Sequence, residues 1–149
     1  LVGEITNVNP EIIHNALNNG YIPVVSTIGR GKDGTVYNIN ADTAASFIAG
    51  AMNATRLISM TDIAGVLKDK DDPNSIIKCI NIEDAQKLFE TGVISGGMIP
   101  KVECCIDAIR KGVEKVIIMD GRIPHSILIE LLTDEGAGTM VTEEYDDER

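Results

Sequence analysis

The sequence predicts an α/β fold: a mainly parallel sheet sandwiched by helices into a three-layer αβα arrangement. Three observations carry this. Segments with helical periodicity alternate with strand-like segments along the chain, without internal repeats or low-complexity stretches. The strand candidates "LISM" and "VIIM" run apolar without alternation, the pattern of strands covered on both faces. The interior must be aliphatic, because 44% of the residues are hydrophobic while only two are Phe, three are Tyr and none is Trp, a composition common in α/β proteins. With 149 residues, one compact domain is expected.

Each element follows from local signals. "VNPEIIHNALNNG" reads as an amphipathic helix closed by Asn18, Asn19 and Gly20, feeding the aliphatic strand "YIPVVSTIG", which is expected to be buried. A hairpin turns at Lys32, Asp33 and Gly34 and returns as "TVYNIN". A helix over residues 42–52 precedes the strand "RLISMTD". The following loop "IAGVLKDKDDPNS" is too rich in Asp, Pro and Asn for a regular element. A short strand "IIKCI", a helix "NIEDAQKLFETG", a Pro-led helix opening near Ile99 and Pro100, the strand "KVIIMD", the helix "PHSILIELLTDEG" and the strand "GTMVT" complete the order.

The charge balance narrows the function. A net charge of −10 with scattered Lys and Arg argues against a general nucleic-acid binder, so a small ligand or a protein partner is expected. Part of that acidity sits in residues 143–149, where five acids and one Arg form a solvated tail. No apolar run approaches the ~18–20 residues that cross a bilayer, and the first residues lack the pattern of a signal peptide; a cytoplasmic protein is expected. Cys79, Cys104 and Cys105 agree: the count is odd and no C-x-x-C occurs, so they are expected to be core or partly buried thiols. The chain opens Leu1, Val2, Gly3 without an initiator Met, and its first helix already feeds a strand, as in a piece of a longer protein.

In parallel sheets, ligands bind beyond the carboxyl ends of the strands. Four such places stand out: residues 26–29, Thr61 with Asp62, the turn Ser95, Gly96, Gly97, and the sequence Asp120, Gly121, Arg122. Turns are rich in Gly and Asp for backbone reasons, so each is weak alone. "NINAD" says more. Asn40 and Asp42 suit a helix entry as N-cap and first-turn acid. Asn38 lies on the same strand face as Asn40, where an amide can hold a carboxylate or a backbone edge of a ligand, and Asp42 can orient a nearby lysine. In "SGGMIPK" two flexible glycines precede a helix start, where unpaired N–H groups attract anions. Lys101 falls in that first turn, a position that disfavours a cation by roughly 0.3–1 kcal/mol unless an anion is bound there. The bland alternative is that the glycines only make the turn and Lys101 reaches solvent. No P-loop or Rossmann fingerprint is present, and His14 and His125 lack metal spacing, so no protein metal site is expected.

"VGEITNVNPEII", "GYIPVVSTIG", "YNINADTAA", "LISMTDIAGVL", "GVISGGMIPKV" and "DGRIPHSILIELLTDEGAGTM" resemble, in this order, the carboxyl-terminal, ATP-binding half of the acetylglutamate kinase branch of the amino acid kinase family. The resemblance covers all but the acidic tail. It implies transfer of the γ-phosphoryl group of ATP, with Mg²⁺ held mainly by the nucleotide, to the side-chain carboxylate of N-acetyl-L-glutamate in arginine biosynthesis. It further implies catalytic roles for Lys101 and Asp42 and acceptor binding by Asn38 and Asn40. The nucleotide would lie along Thr61, Asp62, Ile63, Ala64, Gly65, Val66 and Leu67, and near Val93, Ile94, Ser95, Gly96 and Met98.

The same resemblance makes residues 1–149 a single partial domain, with about residues 1–40 linking to a missing substrate half. Turnover by this chain alone is therefore not expected. The "LLTDEGAGTM" end resembles the arginine-inhibited, hexameric branch, which implies arginine feedback at His125, Glu135 and Gly138 and a homo-oligomer for the full-length protein. Other readings are another acylphosphate-forming amino acid kinase and a non-catalytic module sensing arginine or a nucleotide.

Overall fold

The protein is represented by a computed structural model in which residues 1–145 are described. The expected tail over residues 143–149 is thus seen only to Tyr145, whose hydroxyl donates to the Asp84 carboxylate; the remainder lies outside the described residues. The elements in order are α1 (Glu11–Asn18), β1 (Ile28–Arg30), β2 (Val36–Asn38), α2 (Ala41–Ala51), β3 (Arg56–Thr61), β4 (Cys79–Asn81), α3 (Ile82–Glu90), α4 (Met98–Arg110), β5 (Lys115–Asp120), α5 (Ser126–Leu132) and β6 (Thr139–Thr142).

Four strands form the main sheet in the order β3-β5-β6-β4. β3 pairs parallel with β5 and β4 parallel with β6, while β5 and β6 run antiparallel, so the sheet is mixed and mostly parallel. The antiparallel step follows from the connection: Thr139 opens β6 opposite Ile118, beside the end where β5 finishes. One sheet face carries Val116, Ile118, Val141 and Ile80 into a cluster with Val102, Cys105, Ile106 and Ile109 of α4, Ala49 of α2 and Ala85 of α3. The other face is approached by α5, where Ile117 and Met140 line a gap together with Glu130 and Leu131. Helices on both faces match the predicted layering.

Side-chain caps start two of the helices on the first face. Asn40 Oδ1 accepts the Thr43 N–H at 3.1 Å to open α2, and Asn81 Oδ1 accepts the Asp84 N–H at 2.7 Å to open α3. Both satisfy donors that a helix leaves unpaired at its first turn. α4 starts at Met98, two residues before Pro100, which its first turn tolerates because N–H groups there have no helical acceptor.

Three sequence expectations fail. The stretch 21–27 forms no strand; strand structure begins at Ile28, and Ile22 and Val24 are 89% and 95% exposed. An aliphatic run becomes a buried strand only where another strand or helix covers it, and among the described residues none covers this one. β3 is not covered on both faces either: it lies at the sheet edge, partly buried, with Met60 exposed, whereas β5, flanked on both sides, is buried from Val116 through Asp120. Residue types are alike in the two strands, and position in the sheet makes the difference. Ile76, expected in a strand, makes only an isolated bridge to Leu67.

Candidate active site at the strand ends

β3 and β5 finish side by side, with Thr61 opposite Asp120 and the Gly121 N–H donating to the Thr61 carbonyl at 2.8 Å. The first turns of α2 and α4 converge on the same end. Asp42, in the first turn of α2, meets Lys101, in the first turn of α4, with Oδ2 and Nζ 3.4 Å apart. Both side chains are about a third exposed, so the pair is reachable from solvent. It borders a cavity of about 190 Å³ lined by Asp42, Ser59, Met60, Lys101, Cys104 and Cys105. The misplaced charge of Lys101 is thus met in part by a carboxylate. α4 itself has no side-chain cap, since Gly97 stands at the N-cap position.

A second cavity, of about 280 Å³, lies past the end of β3. Eight of the residues expected to follow a nucleotide line it: Asp62, Ile63, Ala64, Gly65, Val66, Leu67, Val93 and Met98. The loop is fixed from below by Thr139, whose fully buried hydroxyl accepts the Val66 N–H at 2.8 Å. Gly65 is needed at this contact: its φ is +145° and a Cβ there would stand 2.6 Å from Thr139 Oγ1. Thr61 anchors the loop entrance, accepting the Ile63 N–H at 3.2 Å. Thr61, Ile94, Ser95 and Gly96 are not in the lining. Ile94 is a core residue at 1% exposure, and the Ser95 carbonyl accepts the Met98 N–H at the start of α4. Around Gly96 and Gly97 the space is open, with no atom within 4 Å of an added Cβ. An extended ligand can therefore approach the backbone closely there.

The strand ends also bring in Asp120 and Arg122, a place marked in the sequence without a role attached. Both line the second cavity. Asp120 accepts the Arg122 N–H and Nε–H at 2.9 Å each and a terminal guanidinium N–H at 2.8 Å, and these bonds hold its carboxyl down at about 2. Cys104 and Cys105 are expected as core or partly buried thiols; Cys105 is buried and Cys104 half-buried. Burial pushes Cys104 up and Cys105 up to about 12, so neither is a ready nucleophile despite lining the Lys101 cavity.

The remaining candidates are dispersed. Asn38 and Asn40 are exposed on either side of buried Ile39, outside both cavities; Asn38 pairs its backbone with Leu1 and Gly3, and Asn40 spends its side-chain oxygen on the α2 cap. His125 precedes α5 in the left-handed region, with φ 60°, and Glu135 is exposed on the following loop. Gly138 is packed so tightly that a Cβ would lie 2.1 Å from the Ile118 carbonyl oxygen, which explains the glycine by packing alone. Among the described residues no helix is long and apolar enough to cross a membrane.

Comparison with known proteins agrees with this fold. An acetylglutamate kinase of Clostridioides difficile is 54% identical over 143 residues, covering 96% of this chain and 50% of that protein. One from Brachyspira hyodysenteriae is 56% identical over 139 residues, covering 93% and 48%. The crystal structure of a Streptococcus mutans protein superposes with a TM-score of 0.77 at 35% identity, covering 96% of this chain and 51% of that one. The chain thus spans about half the length of the curated relatives it matches. The profile of the amino acid kinase family matches residues 1–120, and the chain belongs to that family.

Proposed function

We propose that this chain is the nucleotide-handling half of an acetylglutamate kinase, which moves the γ-phosphoryl group of ATP to the side-chain carboxylate of N-acetyl-L-glutamate. The observation that carries the reading is the Asp42–Lys101 pair at the joint start of α2 and α4, next to the cavity lined by residues 62–67. In this reading ATP lies in that cavity with its phosphates directed past Gly96 and Gly97 toward Lys101. Phosphoryl transfer needs positioning and cationic stabilisation of the equatorial oxygens rather than a covalent intermediate. Lys101 supplies the charge and Asp42 fixes where the ammonium sits. Asn38 and Asn40 take the acceptor from the β2 side. Mg²⁺ comes with the nucleotide: Asp42 and Asp120 are engaged by Lys101 and Arg122, and Asp62 accepts the Thr61 hydroxyl, so these carboxylates are not arranged as a cage for a hard cation.

Arginine feedback and homo-oligomer assembly belong to the same reading, with His125 and Glu135 as the residues to examine. The test is kinetic. In the full-length protein, Lys101→Ala lowers kcat by orders of magnitude while ATP binding falls much less, because the charge is needed most in the transition state. Equal losses in both count against the role. The 149-residue chain should bind nucleotide without turnover. Phosphorylation of N-acetylglutamate by this chain alone contradicts the half-site reading, and arginine binding without nucleotide binding favours a sensing module.

A further inference from the structure

Arg122 and Asp120 do more than close the turn after β5 needs. That turn is already closed by the Arg122 N–H on Asp120 Oδ1. The guanidinium adds two further bonds to the same carboxylate, through Nε at 2.9 Å and a terminal nitrogen at 2.8 Å. Asp120 is 8% exposed at the end of a buried strand, so the anchor is fixed, while the Arg122 side chain is 69% exposed. A guanidinium has five N–H donors. The fork uses two and leaves three pointing away from Asp120 in a fixed plane.

Charge gives this geometry a direction. Three charged residues line the cavity: Asp62, Asp120 and Arg122. Without the arginine, any anion entering would meet two carboxylates. Gly121 packs on Met60, with an added Cβ 3.2 Å from the Met60 Cβ, and Met60 lines the neighbouring cavity that holds Lys101. Lys101 and Arg122 thus line two neighbouring cavities near the carboxyl end of β3. We propose that Arg122 binds phosphate oxygens of the nucleotide in this cavity, with Asp120 as the residue that orients its guanidinium. The proposal rests on the reading of the cavity as a nucleotide site and adds to it a second cationic contact, specific for phosphorylated ligands. A planar fork held by a carboxylate suits phosphate recognition, because its remaining donors meet the anion at no cost in side-chain order.

The experiment is calorimetric titration of the 149-residue chain with ADP, AMP and adenosine, for the wild type and for Arg122→Gln, Arg122→Lys, Asp120→Asn and the Asp120→Asn/Arg122→Gln double variant. Arg122→Gln is expected to weaken ADP by about tenfold or more, the loss of one charge-assisted contact, and to change adenosine by less than about twofold. Arg122→Lys keeps the charge without the fork and should fall between. In the double variant the ADP loss should persist. A full return of ADP binding there means that Arg122 only neutralises Asp120, and overturns the proposal. So does an equal loss for ADP and adenosine, or no loss at all, with the nucleotide site itself left standing. If the wild type binds none of the three, the nucleotide reading and this proposal fall together. A readout without substitution guards against misfolded variants: the Arg122 Nε–H resonance should shift on addition of ADP and stay in place with adenosine, and the reverse overturns the contact.

Discussion

The β5 strand and residues 21–25 are both aliphatic runs, and they end in opposite environments. Val116 and Ile118 are fully buried, whereas Ile22 is 89% and Val24 95% exposed. Pro23 lacks a strand N–H, but Ile22, Val24 and Val25 are the residue types that β5 buries. β5 has β3 on one edge, β6 on the other and α4 across its face, while residues 21–25 belong to no strand. Apolar character states a demand for cover, and the rest of the fold decides whether the demand is met.

The largest effect that could break this comparison is a pair of truncations. Ile118→Ala deletes buried methyl groups in the middle of the main cluster and should cost about 2–5 kcal/mol, read as a lower urea midpoint. Ile22→Ala should stay within about 0.5 kcal/mol, since its side chain already faces water. Comparable losses would mean that residues 21–25 are packed in solution, and the contrast would disappear.

What could be read from the sequence follows the same line. Helix starts were legible because a cap is local chemistry: Asn40 and its partner Thr43 stand three residues apart and need no tertiary information. The order of elements was legible for a related reason, periodicity being a property of each segment. Burial was not, as β3 and residues 21–27 show, because it depends on neighbours distant in the chain. At the site, Lys101 was suspicious from its position against the helix dipole, and the structure adds that Asp42 meets it. The cavity lining along residues 62–67 followed the family resemblance. The anchoring of that loop by Thr139 did not, since the two segments lie 73 residues apart and a buried threonine in a strand gives no signal of its own. Arg122 was visible only as part of a turn; its fork on Asp120 is a matter of side-chain geometry.

A second test sharpens the contrast on glycines. Gly138→Ala puts a Cβ against the Ile118 carbonyl oxygen, where neither backbone can yield without disturbing the β5–β6 pairing. Overpacking of this kind costs about 1–3 kcal/mol. Gly97→Ala meets nothing within 4 Å, and its φ of −68° suits any residue, so the fold should be unaffected or stabilised by up to about 1 kcal/mol. The open space there belongs to a ligand in the proposed reading, so Gly97→Ala should instead weaken nucleotide binding. Thermal unfolding and calorimetry on the two variants should therefore move in opposite senses. A Gly97 variant that loses stability would show that the turn is packed by the protein's own atoms.

The smallest expected effect is at Lys101 itself, and it tests whether that residue serves the fold at all. Removing its charge in Lys101→Ala gives up an ion pair with Asp42 whose partners are 27% and 38% exposed, a contact of about 0–1 kcal/mol. It also removes a cation from the positive end of α4, a gain of about 0.3–1 kcal/mol. The two nearly cancel, so the urea midpoint should hardly move. Asp42→Asn has no such compensation: it loses the same pair and also a first-turn carboxylate that complements the α2 dipole. It should therefore be the more destabilising of the two, although both remove one charge from one contact. If Lys101→Ala costs as much as Asp42→Asn, the lysine is holding α2 and α4 together. If the asymmetry holds, the protein keeps Lys101 for something other than stability, as the proposed role at a transferring phosphoryl group requires.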